Sequence, residues 1–304
     1  MSIVERAIKK LQDGRAQPQA EPAAKRDIVF GSVVRPEPAA SSQTAAPQFQ
    51  PRKYIEVSRD ALRAAELLPP THQERQIADE YRQIKRPLIA NAFGRGAERL
   101  AKGHLIMMAS ALPGEGKTFT SINLALSIAL EKDVGVLLVD ADVPKPHVSR
   151  MFGLQDEPGL IDALTDASIS VDDLILGTSI PGLSVLPVGK VSETATELLA
   201  SKRMEEIVAM LAAQDPNRII LFDSPPLLLT TEARALAHVV GQIVLVVRAD
   251  ETPRSAVLEA IDLVGEGTAI SLVLNQSSTQ AASGYYGYGQ RYGEAPRAQG
   301  EIAA

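Results

Sequence analysis

The stretch His104–Leu130, HLIMMASALPGEGKTFTSINLALSIAL, constrains this chain more than any other. Leu105 to Ala109 is an unbroken apolar run, and it enters a loop carrying Pro113, Gly114 and Gly116, then Lys117 and Thr118. Beyond the loop Ile122, Leu124, Ala125, Ile128 and Ala129 recur at roughly helical spacing. The pattern predicts a strand, a glycine loop and a helix N-terminus. Such a junction suits phosphate. Backbone N–H groups can point inward, the helix dipole favours an anion, Lys117 can reach the outer phosphates and Thr118 can ligate Mg²⁺. The spacing G-x-x-x-x-G-K-[ST] is met except at its first glycine, which is Ala111 here. That substitution predicts the loss of an easy positive φ at the loop entrance. The plain alternative is a surface turn before a buried helix.

After this stretch the chain alternates regularly. Val134 to Asp142 (VGVLLVDAD) reads as a buried strand ending in two aspartates, and Leu183 to Gly189 as a short strand. Thr196 to Ala213 reads as a helix, Arg218 to Pro226 (RIILFDSPP) as a buried strand ending in Asp223, and Thr231 to His238 as a helix. Gln242 to Arg248, Pro253 to Val264 and Ala269 to Leu274 then read as strand, helix and strand. Continuous apolar strands separated by helices predict a three-layer α/β fold, its mostly parallel sheet flanked by helices on both faces. Ligands in such sheets bind beyond the carboxyl ends of the strands. The architecture therefore predicts that the loop, Asp140, Asp142 and Asp223 meet at one edge.

Four regions are expected along the chain. Residues 1–13 hold an amphipathic helix, with Ile3, Val4, Ala7, Ile8 and Leu11 on one face, too short to be stable alone. It could dock on a partner or a membrane surface. Residues 14–52, rich in Ala, Pro, Gln and Ser, read as a disordered linker. A folded domain spans 53–275, and 276–304 is a flexible tail holding four of the chain's six tyrosines, Tyr285, Tyr286, Tyr288 and Tyr292. Ser58 is expected to cap a short helix stopping at Pro69-Pro70. Thr71 to Glu74 forms a predicted capping box for a second helix that Pro87 kinks or ends. On that helix Asp79, Arg82 and Lys85 share a face, a pattern that usually means a solvated surface.

Composition removes several classes of function. With no cysteines, thiolate catalysis and Cys-built zinc sites are excluded, and four scattered histidines argue against a His-built metal site. A formal charge of −6 gives no support for nucleic-acid binding. Met1 to Lys10 lacks the core of a signal peptide, and no apolar run reaches the roughly 18 residues a spanning helix needs. A cytoplasmic protein is expected, with any membrane link made through a partner.

A P-loop needs little else for phosphoryl chemistry beyond positioning and charge neutralisation. Mg²⁺ takes one or two carboxylates and keeps several waters. Asp223, after four apolar residues, is placed like a Walker-B aspartate, although it could simply cap the next turn. Asp140 and Asp142, two apart in extended chain, point the same way. One could contact the metal while the other accepts a hydroxyl proton, or both could be a solvated strand end.

Together these motifs resemble the bacterial tyrosine autokinases. The family's S-x-x-P-G-E-G-K-T loop is matched by Ser110, Pro113, Gly114, Glu115, Gly116, Lys117 and Thr118, and it too often lacks the first glycine. Its D-x-D strand end is matched by Asp140 and Asp142, and its D-x-P-P by Asp223, Pro225 and Pro226. Where the family commonly has an arginine pair and proline, this chain has Val143-Pro144-Lys145-Pro146. Asp79-x-x-Arg82-x-x-Lys85 resembles the family's oligomerisation signature E-x-x-R-x-x-R, with a lysine that lacks the guanidinium fork. The likeness runs from about Asp79 to Asn275, plus the tail. The segment ELLPPTHQERQIADEYRQIKRPL resembles stand-alone members that accompany exosortase-type exopolysaccharide clusters.

The resemblance implies an ATP- and Mg²⁺-dependent tyrosine kinase on a P-loop NTPase fold. It implies that Pro113, Gly114, Glu115, Gly116, Lys117, Thr118 and Phe119 bind nucleotide, with Asn275 near the adenine. Lys117 would polarise the phosphates, Thr118, Asp142 and Asp223 would hold Mg²⁺, and Asp140 would activate the acceptor hydroxyl, a role exchangeable with Asp142. Tyr285, Tyr286, Tyr288 and Tyr292 would be acceptors, used in trans within a ring that Asp79, Arg82 and Lys85 help assemble. Implied partners are a cytoplasmic segment of a chain-length-determinant membrane protein, which places the kinase at the inner membrane, and a cognate tyrosine phosphatase. Two other readings stand beside it. One is a partitioning-type ATPase switch, against which the missing signature lysine at Ser110 to Leu112 counts. The other is a non-catalytic nucleotide-binding regulator of a membrane polysaccharide assembly.

Overall fold

The computed structural model describes residues 50–95, 99–190, 194–265 and 267–277. The predicted helix at 1–13, the linker up to residue 49 and the four tail tyrosines lie outside the described residues. Among the described residues eight strands form one sheet: β1 Lys53–Ile55, β2 Leu105–Ser110, β3 Gly135–Asp140, β4 Leu176–Thr178, β5 Leu183–Leu186, β6 Arg218–Asp223, β7 Gln242–Arg248 and β8 Ala269–Asn275. Their order is β1-β4-β5-β3-β6-β2-β7-β8, and only the β4–β5 pair is antiparallel. The predicted three-layer, mostly parallel α/β fold is the fold observed.

The central strands are apolar throughout because both of their faces are covered. On β2, Leu105, Met107 and Ala109 join one core layer while Ile106 and Met108 join the other. On β6, Ile220 and Phe222 alternate with Ile219 and Leu221 in the same way. The first layer packs beneath helices Leu160–Thr165, Ala195–Leu199, Lys202–Gln214, Thr231–Ala237 and Arg254–Val264. The second packs beneath Arg59–Ala64, Glu74–Phe93, Lys117–Ala129 and His147–Met151. Each large aliphatic side chain buried this way contributes about 1.5–3 kcal/mol.

Several local expectations are corrected. Ser58 does cap Arg59–Ala64, its hydroxyl accepting from Ala61 N–H at 3.2 Å, but this helix stops five residues short of Pro69. The capping box at Thr71 does not form, because Glu74 is drawn to the Arg63 guanidinium and the next helix opens at Gln73 without a side-chain cap. That helix runs through Pro87 to Phe93. The predicted helix from Thr196 to Ala213 is two helices, the second capped by Ser201. The β3 strand ends at Asp140, leaving Asp142 on the loop beyond it.

Candidate active site

Register brings the chemistry together. Strands β2, β6 and β3 lie side by side, with Met108 paired to Asp223 and Asp223 paired to Asp140. Two residues past Met108, β2 ends and the glycine loop begins. The loop is tied to the Asp-Ser-Pro-Pro segment by Leu227 N–H donating to Ser110 O at 2.9 Å and Ser224 Oγ donating to Met108 O at 2.8 Å.

Gly114 and Gly116 take φ values of +79° and +89°, a region glycine enters without penalty. A Cβ on Gly116 would also lie 2.0 Å from Asn275 Nδ2. Ala111 is buried and has no positive φ. The first glycine of the pattern is therefore not needed for backbone conformation, which corrects the loss expected there. Helix Lys117–Ala129 starts without a side-chain cap, so its first N–H groups remain available to an anion.

Asp223 is wholly buried at the end of β6. Its Oδ2 accepts from Thr118 Oγ1 at 2.8 Å and its Oδ1 from Ser121 Oγ at 2.7 Å. Burial raises its pKa, and those two hydroxyls oppose the rise. Asp142 lies on the loop after β3, its Oδ1 accepting from Lys145 N–H at 3.2 Å. Burial and the neighbouring Asp223 push it up to about 6, with Lys117 pulling the other way. Asp140 is buried more deeply and is pushed up to about 7, first by burial and then by Asp223. Its Oδ2 accepts from both the N–H and the Oγ of Ser149, each at 2.7 Å. Its Oδ1 meets no hydrogen-bond donor among the described residues. Lys117 is buried too; burial lowers its pKa while Asp223, Asp142 and Glu115 hold its proton on.

The donors here are all oxygen: the carboxylates of Asp142 and Asp223 and the Thr118 hydroxyl, with Asp140 and its unpartnered buried oxygen nearby, although among the described residues no three acidic side chains converge on one point. The set fits a hard divalent cation such as Mg²⁺, which takes carboxylate and hydroxyl ligands, and a cation would offset the burial that chiefly raises all three pKa values and the smaller repulsion of Asp223 on Asp140 and Asp142.

A cavity of about 680 Å³ opens over the loop, within the range of small-molecule sites. Pro113, Gly114, Gly116, Lys117, Thr118, Phe119 and Asp142 line it, together with Lys145 and His147. Leu67, Met151, Pro225, Pro226 and Leu229 give it apolar lining as well. Of the residues singled out in the sequence, Asp140, Asp223, Glu115 and Asn275 do not line this cavity. Asp223 sits beneath Thr118, and Asn275 donates from Nδ2 to Glu115 O at 2.9 Å. Asp140, expected to meet the acceptor hydroxyl, is wholly buried, does not line the cavity and is held by Ser149.

Sequence reasoning missed Ser121, Ser149 and His147. Ser121 had a signal, since it lies one turn beyond Lys117 on the side of the helix facing the strand ends. Ser149 and His147 sit on the five-residue helix His147–Met151, which shows no periodicity to find. Burial and Arg150 lower the pKa of His147.

The three residues assigned to oligomerisation part company. Asp79 and Arg82 pair with each other on an exposed face. Lys85 is buried instead, donating to Ser127 O at 2.5 Å and pairing with Glu131 at 2.8 Å. It caps one carbonyl, Ser127 O, in the last turn of the helix that starts at the loop, where a cation is favoured.

Comparison with known proteins completes the picture. A family model described as an AAA domain matches residues 103–262. The tyrosine-protein kinase YwqD of Bacillus subtilis is 32% identical over 215 residues, which cover 69% of this chain and 86% of YwqD. EpsB of Ralstonia nicotianae is 32% identical over 190 residues, 62% of this chain, and this chain spans only 25% of EpsB. The crystal structure of the VpsO kinase domain is similar at a TM-score of 0.56 and 28% identity, covering 69% of this chain and 100% of that domain. No helix among the described residues is long and apolar enough to cross a membrane. On the domain match and the extent of the likeness to YwqD, this chain belongs to the bacterial tyrosine-protein kinases, built on a nucleotide-binding P-loop domain.

Proposed function

We propose that the protein is an ATP- and Mg²⁺-dependent protein-tyrosine kinase that phosphorylates its own C-terminal tyrosines. The observation carrying this reading is a carboxylate, Asp142, that lines the same cavity as Lys117 and Thr118, together with several apolar side chains. A simple nucleotide switch needs the loop and Asp223; a kinase needs, in addition, a place for a ring and a base for its proton.

In this reading Lys117 neutralises the outer phosphates of ATP. Thr118 and Asp223 would hold Mg²⁺, with Asp140 supporting them through its unpartnered oxygen. The metal supplies charge neutralisation at the phosphates. Because Asp142 lines the cavity and Asp140 does not, we exchange their roles and give proton acceptance to Asp142. The acceptor phenol enters along the apolar lining. Its oxygen bonds to the γ-phosphorus as the bond to ADP breaks, and its proton passes to Asp142, whose raised pKa suits a base working near neutrality. The acceptors are Tyr285, Tyr286, Tyr288 and Tyr292, which lie in a glycine-rich segment that gives a ring room to enter a cleft. Activation falls to the cytoplasmic segment of a chain-length-determinant membrane protein, in the control of exopolysaccharide polymerisation and export, with a tyrosine phosphatase as the reversing partner.

Purified protein incubated with Mg-ATP is expected to gain phosphate on one or more of these four tyrosines, read by mass spectrometry. Hydrolysis of ATP without any phosphotyrosine would replace this reading with the ATPase switch.

We also assign Asp79 and Arg82 to contacts between subunits and Lys85 to the fold of each one. Arg82→Ala should lower the mass seen by light scattering and leave the melting temperature nearly unchanged. Lys85→Ala should instead destabilise the protein by about 1–2 kcal/mol, since it strips a cation from a buried carbonyl and a half-exposed glutamate. Equal masses for wild type and Arg82→Ala would reduce the exposed pair to a solvated face.

A further inference from the structure

A carboxylate inside a phosphate loop looks misplaced, because its charge opposes the ligand's. Glu115 is nevertheless buried between Gly114 and Gly116, and it does not line the cavity. Its Oε2 accepts from Leu112 N–H at 2.8 Å, across the loop. Its Oε1 accepts from Thr252 Oγ1, and that oxygen accepts in turn from Arg248 N–H at 3.1 Å, at the end of β7. The Glu115 carbonyl accepts from Asn275 Nδ2 at the end of β8. One residue thus fastens the middle of the loop to its beginning and to two outer strands.

We propose that Glu115 and Thr252 are positioning residues for nucleotide binding, and that together they hold the loop from Leu112 to Lys117 in its phosphate-receiving shape before a ligand arrives. The need is physical. Two glycines with positive φ leave a free loop many conformations to lose on binding. Donors already aimed at the ligand require no such reorganisation. In this role Glu115 acts through its hydrogen bonds, and Thr252 is the anchor outside the loop. The inference rests on the reading of the loop as a nucleotide site and is independent of where the phosphate goes next.

The test uses the full chain, titrated with a fluorescent ADP analogue in Mg²⁺, beside amide hydrogen exchange of the Ser110–Gly116 segment without nucleotide. Glu115→Ala should weaken binding about tenfold or more, the scale of one or two lost hydrogen bonds, and should expose the Leu112 amide to exchange. Glu115→Gln should stay within about threefold of wild type, since its amide can accept from Leu112 and donate to Thr252. Thr252→Val should weaken binding in the same direction, Thr252→Ser should restore it, and Val at 252 should add little to Ala at 115. Glutamine as harmful as alanine, additive single effects, or an unchanged Leu112 amide would each overturn the inference. Wild-type protein that binds no analogue would instead overturn the nucleotide site itself, and the positioning role with it. Thr252→Val lies on a surface loop, so it keeps the test open should Glu115→Ala fail to fold.

Discussion

Lys117→Met is expected to reduce phosphate transfer to tyrosine by at least about a hundredfold, the scale of removing one preorganised charge-stabilising group. The expectation follows from what surrounds the ammonium. Lys117 is buried, and Asp223, Asp142 and Glu115 all act to keep it charged. Methionine has nearly the same length and removes only the charge, leaving the three carboxylates to repel the incoming phosphates. Radiolabelled phosphate incorporation, measured beside circular dichroism to confirm folding, checks it. Autophosphorylation persisting in this variant would sink the assignment of the site.

Much of this was legible in the sequence because the central strands are buried on both faces. Runs such as IILF in β6 and VLLV in β3 have to be apolar at every position, so they stand out against the amphipathic helices. The outer elements carry no such mark. Strand β4 is three residues containing Gly177, which lies beneath the Tyr54 ring, and it pairs antiparallel to β5, so no crossover helix announces it. The helices His147–Met151 and Leu160–Thr165 complete fewer than two turns and show no period. At Thr71 the local capping signal was sound but lost to a distant partner, Arg63, which no local rule can see.

The site divides along the same line. Residues whose places follow from position along the chain (Lys117, Thr118, the strand-end aspartates) could be singled out by spacing. Those whose roles depend on neighbours from elsewhere in the fold could not. Lys85 reads as a surface charge until helix Glu74–Phe93 packs on helix Lys117–Ala129 and delivers it to Ser127 O. Thr252 gains its meaning only from Glu115, which lies 137 positions away. Asp140 and Asp142 looked equivalent until β3 ended between them and Ser149 hydrogen-bonded to one.

That difference between the two aspartates gives the second large effect. Asp140 is pushed up to about 7 in the fold, against an ordinary value of 3.8. The folded state therefore holds a proton that the unfolded chain releases, so this group makes stability fall as pH rises from about 4 to about 7 and flatten above that. The slope is about 1.4 kcal/mol per pH unit while the proton difference lasts. Asp142 and Asp223 are raised as well and act in the same direction, while Glu74 and Asp166, lowered by the Arg63 and Ser168 hydrogen bonds respectively, act in the opposite one. The clean measurement is therefore a difference. Without Mg²⁺ or nucleotide, Asp140→Asn should melt progressively higher than wild type between pH 5 and pH 7, because its amide oxygen still accepts from Ser149 while no charge has to be buried. With Mg-ADP present the order should reverse near pH 8, since an ionised Asp140 then faces a cation and the amide does not. A difference in melting temperature that stays flat across this range would show that Asp140 is already ionised in the free protein, its charge satisfied without a cation.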